Sequence, residues 1–342
     1  MVGSAAVSCR LHRRGARLAA AEGSVDGIHQ LGEFVSADQY AGLVARARQA
    51  PAPWLDLKPD TLRSSYNRLP YLVEHRLAEH PRFSLDQLFA LCRRLPEEQV
   101  KYRFGVVPGN THFDSSFERY RKELTLDDAI DRLEEKQAYI VIYNPERDPD
   151  YQPVIEGLLG EIAAQTEKLD PGINWYSTYI FISAHDSVTP YHMDREMNFL
   201  FQIRGTKTAR LWDPFDDEVM TPTQKDLLFA ATDACRPPYR EAFLAKAMMF
   251  ELKPGLGVHH PFIAPHLVRT GPQLSISFAL TFRTRQSDIW TAAHRFNHHL
   301  RSLGLRPRSV RRSALLDRTK AGLQHILQRA RHGANLSAGE TN

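Results

Sequence analysis

The strongest constraint on how this chain folds is a succession of short strand-like segments in its middle and later parts. Each segment is rich in β-branched and aromatic residues, and Gly, Pro or Asp stand between neighbouring segments. The segments begin near Tyr102, Tyr139, Tyr179, Asn198, Thr208, Ala247 and Leu274. Short strands in such a succession favour a barrel or a jelly roll, since these architectures protect the edges of the sheets. We therefore predict a mainly β fold with flanking helices.

Helical patterns lie on both sides of this β region. Ser36, Ser84 and Thr125 each precede a run with apolar residues at helical spacing, and all three are residue types that cap helix N-termini. A fourth helix is expected over residues 151–169 and a last one over about residues 313–331. The length of 342 residues fits one large domain with appendages.

The expected organisation of the chain has five parts. They are a flexible N-terminus (1–25), an N-terminal helical region (26–98), a jelly-roll core (99–285), a C-terminal helical region (286–332) and a flexible tail (333–342). From Ile289 to Leu303, apolar residues recur at alternating intervals of four and three positions. This spacing is typical of a helix that packs against another helix along one stripe.

Composition indicates the cellular environment in which the protein is expected to fold. Three cysteines, Cys9, Cys92 and Cys235, are odd in number and far apart, which is typical of reduced thiols in a cytoplasmic protein. No stretch approaches the roughly 20 apolar residues of a membrane span. From Arg283 to the end, 12 Lys and Arg stand against 3 Asp and Glu, so this segment carries +9 while the whole chain carries +4. Solvated helix surface is the simplest interpretation of this charge, and an anionic partner is the alternative.

A metal-binding pattern lies between two of the predicted strands. In Thr189-Pro-Tyr-His192-Met-Asp194, the histidine and the aspartate are two residues apart, so on a strand both point to the same side. One imidazole and one carboxylate are two of the three ligands in a 2-His-1-carboxylate site, which leaves positions open on iron. His112 and Asp114 have the same spacing, but they stand in polar turn sequence. We therefore favour the pair His192 and Asp194.

The third ligand has to come from a distant strand. His266 follows Pro265 at the start of a predicted strand, and the prolines of this turn restrict where its side chain points. His259 and His260 are rivals in the same region. His259 lies nearer the preceding strand, where it would orient a ligand or the substrate. His266 is the favoured ligand.

A lysine is expected inside the same barrel. Residues 204–206 form a turn, and Lys207 begins the returning strand, with Ala209 and Leu211 on its own face. A buried ammonium requires a partner, which the far carboxylate of a metal-chelating dicarboxylate would provide. Thr189 lies three residues before His192 and would add a hydroxyl group to that carboxylate. A surface lysine at a hairpin is the alternative interpretation.

These motifs resemble those of a known family. The stretch from Thr189 to Pro214 is similar to the JmjC/cupin-like 2-oxoglutarate oxygenases, including asparaginyl hydroxylases and bacterial cupin-like proteins, and the likeness extends from about residue 179 to 282. The resemblance implies a double-stranded β-helix and an iron-dependent dioxygenase that uses 2-oxoglutarate and O2. It also implies a homodimer formed by the C-terminal helices. The sequence departs from the asparaginyl hydroxylase pattern at Ala279, where an asparagine is usual.

The resemblance also assigns roles to individual residues. It implies that His192, Asp194 and His266 bind Fe(II), that Lys207 and Thr189 bind 2-oxoglutarate, and that Asn198 lines the same pocket. The reaction would hydroxylate an unactivated C–H bond of an amino-acid side chain, a peptide or protein, or a small metabolite. Demethylation would follow the same chemistry but is the less favoured outcome.

Two other functions remain open at this stage. The first is a non-catalytic cupin-like regulator or binding module, which predicts that Lys207 faces solvent. The second is an oxygenase that acts on nucleic acid or another anionic partner through the basic C-terminal segment. Aromatic residues are not interleaved with the arginines of that segment, so base stacking has little support.

Overall fold

A computed structural model of the protein describes residues 32–339, apart from residues 112, 122 and 231–236. The predicted flexible N-terminus, Cys9, His112 and Cys235 lie outside the described residues. The rival metal pattern at His112 and Asp114 is therefore not part of the structural description.

Antiparallel strands make up most of the ordered core, as the sequence predicts. Within the described ranges, the strands are β1 (Glu33–Phe34), β2 (Leu55–Asp56), β3 (Tyr71–His75), β4 (Val100–Phe104), β5 (Ala138–Tyr143), β6 (Ile173–Ser183), β7 (Val188–Met193), β8 (Met197–Arg204), β9 (Lys207–Leu211), β10 (Met248–Leu252), β11 (Leu256–His260), β12 (Pro265–Thr270) and β13 (Ser275–Thr284). The strand order in the larger sheet is β2-β3-β11-β8-β13-β6-β5-β4, with β1 paired to β6. The smaller sheet has the order β10-β9-β12-β7.

The two sheets enclose a common interior, which we call the lumen. Leu200 and Ala279 of the larger sheet belong to one buried cluster with Ala209, Leu211 and Val268 of the smaller sheet. Two sheets that pack face to face through such a cluster form the jelly roll of a double-stranded β-helix. The predicted fold, mainly β with flanking helices, is confirmed.

The sheets differ in what covers their outer faces. Every residue of β5 is buried, because one face of this strand borders the lumen and the other packs against helices. In β9, buried residues alternate with partly exposed residues, since its outer face borders solvent. The helices therefore support the larger sheet, and the smaller sheet closes the lumen from the other side.

Helices occupy the N-terminal, connecting and C-terminal segments. Within the described ranges, they are α1 (Ala37–Gln49), α2 (Pro59–Ser65), α3 (Leu85–Arg94), α4 (Phe113–Arg119), α5 (Leu126–Asp131), α6 (Gln152–Thr166), α7 (Pro222–Leu228), α8 (Arg285–Ser302) and α9 (Ala314–Gly339). Ser36 and Thr125 form capping boxes at α1 and α5, and Ser84 is the N-cap residue of α3. None of these described helices is both long and apolar enough to cross a membrane.

The C-terminal helices differ from the sequence-based expectation in two respects. Helix α9 continues to Gly339, whereas we expected a helix end near Arg331 and a flexible tail over residues 333–342. Most of the stripe on α8 is covered within the chain itself, with Ala293 buried and three further members half-buried, whereas its last member, Leu303, is 75% exposed. The exposed apolar residues instead lie on α9 and on the connection before it, which periodicity in α8 alone did not indicate.

A buried carboxylate joins α7 to α8. Asp226 on α7 accepts hydrogen bonds from His294 Nδ1 at 2.7 Å and from Arg301 Nε at 2.6 Å, both on α8. The Asp226 residue is 1% exposed, and the His294 ring stacks on Phe229 with centroids 5.2 Å apart. Because Asp226 neutralises Arg301 away from water, this junction depends on a single side chain.

Replacing this carboxylate tests the junction. We expect Asp226→Ala to lower the free energy of unfolding by about 3–5 kcal/mol, because it leaves a largely buried arginine without its counter-ion. Urea denaturation followed by circular dichroism measures the change. Asp131→Ala is the control, since that side chain is 68% exposed and 3.3 Å from Arg93. The control should cost less than about 1 kcal/mol; equal losses in both variants would contradict the assigned role of Asp226.

Candidate metal centre

Two neighbouring strands of the smaller sheet bring the predicted metal ligands together. The antiparallel pairing of β7 with β12 sets His192 opposite His266, and Asp194 follows the end of β7. One ligand atom from each of these residues lies within 4.8 Å of the others. His192 Nε2 is 3.8 Å from Asp194 Oδ1, and His266 Nε2 is 4.0 Å from Asp194 Oδ2. The three side chains therefore surround one point at the rim of the lumen.

Backbone carbonyls fix the tautomer of both histidines. The Nδ1 atom of His192 lies 2.7 Å from the carbonyl oxygen of Pro190, and that of His266 lies 3.0 Å from the carbonyl oxygen of Ala264. A carbonyl oxygen only accepts hydrogen bonds, so each Nδ1 carries the proton. Each Nε2 is left with a lone pair directed at the cluster, which is the form of histidine that binds metals.

The side chains around the cluster restrict how the ligands move. The ring of Phe113 stacks on the ring of His192 with centroids 5.2 Å apart and an interplanar angle of 6°. Asn198 Nδ2 donates to Asp194 Oδ2 at 3.4 Å, which orients the carboxylate. Both histidines are buried, while Asp194 is partly exposed. The cluster is thus open to solvent on the side of the carboxylate.

Strand alternation separates the rival His259 from this cluster. His259 projects from the face of β11 that points away from the lumen, and its ring stacks on the ring of Tyr66. Its Nδ1 donates to the carbonyl oxygen of Asn198 at 3.1 Å, and its Nε2 accepts from the backbone N–H of Asn67 at 3.3 Å. Burial lowers the pKa of His259 to about 3, so the ring is neutral. Both nitrogens have partners within the core, and neither faces the cluster.

The other rival, His260, lies on the lumen side. Its ring centroid is 4.5 Å from that of His266, and the residue is 2% exposed. Neither ring nitrogen has a hydrogen-bond partner in the described part of the chain. Burial lowers the pKa of His260 well below the usual value, so this imidazole is also neutral. His260 contributes none of the three ligand atoms that surround the candidate metal position.

Lys207 lies deeper in the lumen than the histidines. The residue is 2% exposed, and its Nζ donates to Ser277 Oγ on the opposite sheet at 2.6 Å. Among the described residues no carboxylate forms an ion pair with it, and burial lowers the pKa of Lys207 to about 7. Its Nζ also lies 5.5 Å from the centroid of the Phe181 ring. The ammonium group is thus buried next to one hydroxyl and one aromatic face.

Hydroxyl groups from both sheets also meet inside the lumen. Thr189 Oγ1 is 2.7 Å from Tyr139 Oη, and both residues are buried. The guanidinium of Arg103 lies 4.5 Å from the centroid of the Tyr139 ring and donates to the carbonyl oxygen of Val188 at 2.6 Å. The predicted Thr189 and Asn198 therefore lie at the lumen with His192, Asp194, His266 and Lys207.

Several residues that build the site were not identified from the sequence. Tyr139 and Ser277 stand in segments that were recognised as strands, and strand alternation would have placed both on the lumen face. Phe113 follows a turn and reaches the site from α4, so no strand pattern could have indicated it. Its role depends on tertiary packing that local sequence does not encode.

The donor set is suited to a divalent iron ion. Two neutral imidazole nitrogens and one carboxylate, with an open side, are the protein ligands of non-haem iron oxygenases. The buried and unpaired Lys207 fits the far carboxylate of a chelating dicarboxylate such as 2-oxoglutarate. The residues present are therefore compatible with both groups.

Comparisons with known proteins identify a family model and solved structures that this chain resembles. Two solved structures of the ribosomal oxygenase YcfD from Escherichia coli, one of them in complex with cobalt and 2-oxoglutarate, are each 15% identical in sequence to this chain, with a TM-score of 0.40. The first match covers 80% of this chain and 67% of that protein, and the second covers 77% and 61%. No curated protein matches the chain in sequence. The family model of the cupin-like domain matches residues 44–287, which is more than half of the chain. The chain therefore belongs to the cupin-like domain family.

Proposed function

We propose that this protein is a non-haem iron dioxygenase that uses 2-oxoglutarate to hydroxylate an unactivated C–H bond. The observation that carries the proposal is the presence, in one lumen, of the cluster His192, Asp194 and His266 together with the buried Lys207. The cluster provides ligands for Fe(II), and the lysine provides the charge that a dicarboxylate requires. Either feature alone would fit other classes of protein.

When bound, the iron supplies the chemistry by which O2 converts 2-oxoglutarate to succinate and CO2 and transfers one oxygen atom to the substrate. The residues of the chain hold and orient the reactants. His192 and His266 offer Nε2 lone pairs that are fixed by backbone carbonyls, and Asp194 offers a carboxylate held by Asn198. Preorganised ligands of this kind lower the entropic cost of binding the metal.

The interior of the lumen serves the co-substrate. Lys207 and Ser277 would bind the far carboxylate of 2-oxoglutarate, with Thr189 and Tyr139 beside them. Apolar side chains such as Leu200 exclude water from the space between these groups and the metal position. The low polarity strengthens the pairing of the carboxylate with the lysine.

The substrate is proposed as an amino-acid side chain, a peptide or protein, or a small metabolite. Demethylation would result if the hydroxylated carbon were attached to nitrogen, and it remains the less favoured outcome. The non-catalytic interpretation predicted a solvent-exposed Lys207, whereas this lysine is buried.

The oxygenase acting on nucleic acid has less support, because part of the basic C-terminal charge is used inside the fold. Arg301 pairs with Asp226, and the guanidinium of Arg311 lies between Phe215 and Trp290 at 4.3 and 4.1 Å from the ring centroids.

We further propose a homodimer formed by the C-terminal helices, in a cytoplasmic protein. Helix α9 exposes an apolar stripe whose members are spaced as on one helix face, with exposed fractions of 77% for Leu315, 42% for Leu323 and 63% for Ile326. Two neighbouring leucines on the connection before α9 are also exposed. A cytoplasmic location accords with Cys92, which is a buried thiol and whose pKa burial raises to about 12.

The metal cluster is tested by turnover of 2-oxoglutarate. With Fe(II), ascorbate and 2-oxoglutarate, the parent protein should release succinate slowly even without a substrate. Loss of a residue that only hydrogen-bonds to a metal ligand lowers activity by roughly 10–100-fold. We expect His192→Ala and Asp194→Ala, which remove the proposed ligands themselves, to lower the rate of succinate release by more than this. His185→Ala is the control, because the His185 side chain is 37% exposed, pairs with Asp186 and lies outside the cluster. Equal succinate release from the parent and both cluster variants would exclude this site.

The role of Lys207 is tested by the number of protons taken up when 2-oxoglutarate binds. With its pKa at about 7 in the empty lumen, Lys207 is largely neutral above that pH, and a bound carboxylate raises the pKa again. Above pH 7 we therefore expect binding of 2-oxoglutarate to take up about one proton, and the affinity to fall by up to about tenfold per pH unit. Below pH 7 the uptake should disappear, because the empty site is already protonated.

Calorimetry of the Co(II)-loaded protein in buffers with different ionisation enthalpies measures this uptake. Lys207→Met should abolish it and raise the 2-oxoglutarate requirement. Lys253→Met, at an exposed position after β10, should behave as the parent. Undiminished proton uptake by the Lys207→Met variant would show that Lys207 does not bind 2-oxoglutarate.

The dimer is tested by size-exclusion chromatography with light scattering. We expect the parent to elute as a dimer and Ile326→Asp to elute as a monomer, because a charge in an apolar interface has no partner. Met249→Asp is the control, since Met249 on β10 is 60% exposed and far from α9 in sequence. A monomeric parent would refute the proposed assembly.

A further inference from the structure

His260 is a buried polar group whose hydrogen-bonding capacity the protein itself leaves unused. It ends β11 on the lumen face, it is 2% exposed, and both ring nitrogens lack a partner among the described residues. Leaving a buried imidazole without hydrogen bonds costs free energy, and native proteins rarely tolerate this without a reason. The observation points to a ligand that completes these bonds.

The preceding residue shows what a structural histidine in this strand looks like. His259 is equally buried, yet each of its ring nitrogens has a backbone partner, at 3.1 and 3.3 Å. Aromatic rings also pack on it, with the centroid of Phe199 at 4.6 Å. The contrast between two adjacent histidines indicates that the unsatisfied state of His260 comes from its position on the lumen side.

The position of His260 excludes it from the metal ligands but keeps it next to them. Its ring is inclined at 64° to that of His266, and the three clustered ligand atoms do not include any atom of His260. Across the ladder of β11 and β8 it is opposite Asn198, whose side chain donates to Asp194. Asn198 Oδ1 also lacks a partner. A group bound at the metal would therefore lie within reach of both residues.

His260 and Lys207 mark opposite ends of the lumen. His260 pairs with Asn198, whereas Ser277, which binds Lys207, pairs with Gln202 on the same strand. These two positions on β8 are four residues apart, or about 13 Å.

We propose that His260 is a positioning residue whose ring N–H donates a hydrogen bond to the carboxylate at the metal-chelating end of 2-oxoglutarate. The inference rests on the proposed function. It assigns one end of the co-substrate to His260 and leaves the other end to Lys207. A neutral imidazole provides the single donor that this contact requires.

Binding of the co-substrate tests the proposal without any turnover. The Co(II)-loaded parent and the variants His260→Leu, His260→Gln and His185→Leu would be titrated with 2-oxoglutarate by calorimetry, and Co(II) affinity would be measured separately. Leucine removes both nitrogens and retains an apolar side chain in a buried position. Since the hydrogen bond has a charged acceptor, His260→Leu should raise the Kd for 2-oxoglutarate by roughly tenfold or more. Its Co(II) affinity should remain that of the parent, because His260 is not among the three clustered residues and forms no hydrogen bond to them.

The other variants discriminate between a hydrogen-bonding role and a packing role. Glutamine retains an N–H donor, so His260→Gln should recover most of the lost affinity, and His185→Leu should bind as the parent does. Melting temperatures of the ligand-free proteins verify folding, and we expect that of His260→Leu to equal or exceed the parent value, because an unsatisfied group has been removed.

Each contrary result has a distinct meaning. Parental 2-oxoglutarate affinity in a folded His260→Leu would overturn the role of His260 while the oxygenase proposal stands. Loss of Co(II) binding in that variant would also overturn it, because His260 would then act on the metal. A parent protein that binds Co(II) but not 2-oxoglutarate would instead refute the proposed function itself.

Discussion

The pairing of β7 with β12 is the interaction on which the site depends. It sets His192 opposite His266 and brings Asp194 to the same end of the sheet. Because side chains alternate along a strand, a slip of one residue would direct His266 away from the lumen and replace it with an apolar neighbour. The other edge of β12 pairs with β9 over five residues of each strand, His266 to Thr270 against Leu211 to Lys207, and this second ladder holds the register.

The two sheets contribute differently to the interior that they enclose. The smaller sheet supplies Lys207 and the side chains proposed as metal ligands, and the larger sheet supplies hydroxyl groups that meet its polar side chains. Lys207 contacts Ser277, Thr189 contacts Tyr139, and Ser183 lies 3.1 Å from Thr270. Such bridges satisfy polar side chains that would otherwise be buried without partners. Most of the described helices pack on the outer face of the larger sheet, whereas α4 places Phe113 against His192 of the smaller sheet.

Much of this arrangement could be predicted from the sequence, and the physical reasons differ between its parts. Strand phase and turn residues indicated the β fold and the inward direction of His192 and Lys207, because both signals are local. The choice between His259, His260 and His266 could not be made in this way, since it depends on which face of β11 borders the lumen. The packing of Phe113 on His192 was likewise hidden, because it joins a helix to a strand 79 positions away in the printed sequence.

The C-terminal helices show a second limit of prediction from sequence. Apolar spacing identified the stripe on α8, but periodicity cannot tell whether a stripe packs within its own chain or against another molecule. In the structure that stripe is largely covered, and the exposed apolar surface belongs to α9. Spacing therefore predicted helix packing correctly without identifying the surface that is left for a partner.

One consequence follows from the carboxylate that joins α7 to α8. Arg195, the residue after Asp194, donates from Nε to the carbonyl oxygen of Leu228 at 2.9 Å, and Leu228 ends the helix that carries Asp226. A chain of contacts thus connects a metal ligand to the α8–α9 pair. If a bound metal and a partner of α9 both order these contacts, thermodynamic linkage requires that each strengthens the binding of the other by the same factor. In the dimer proposed above, the apparent metal affinity would then rise with protein concentration.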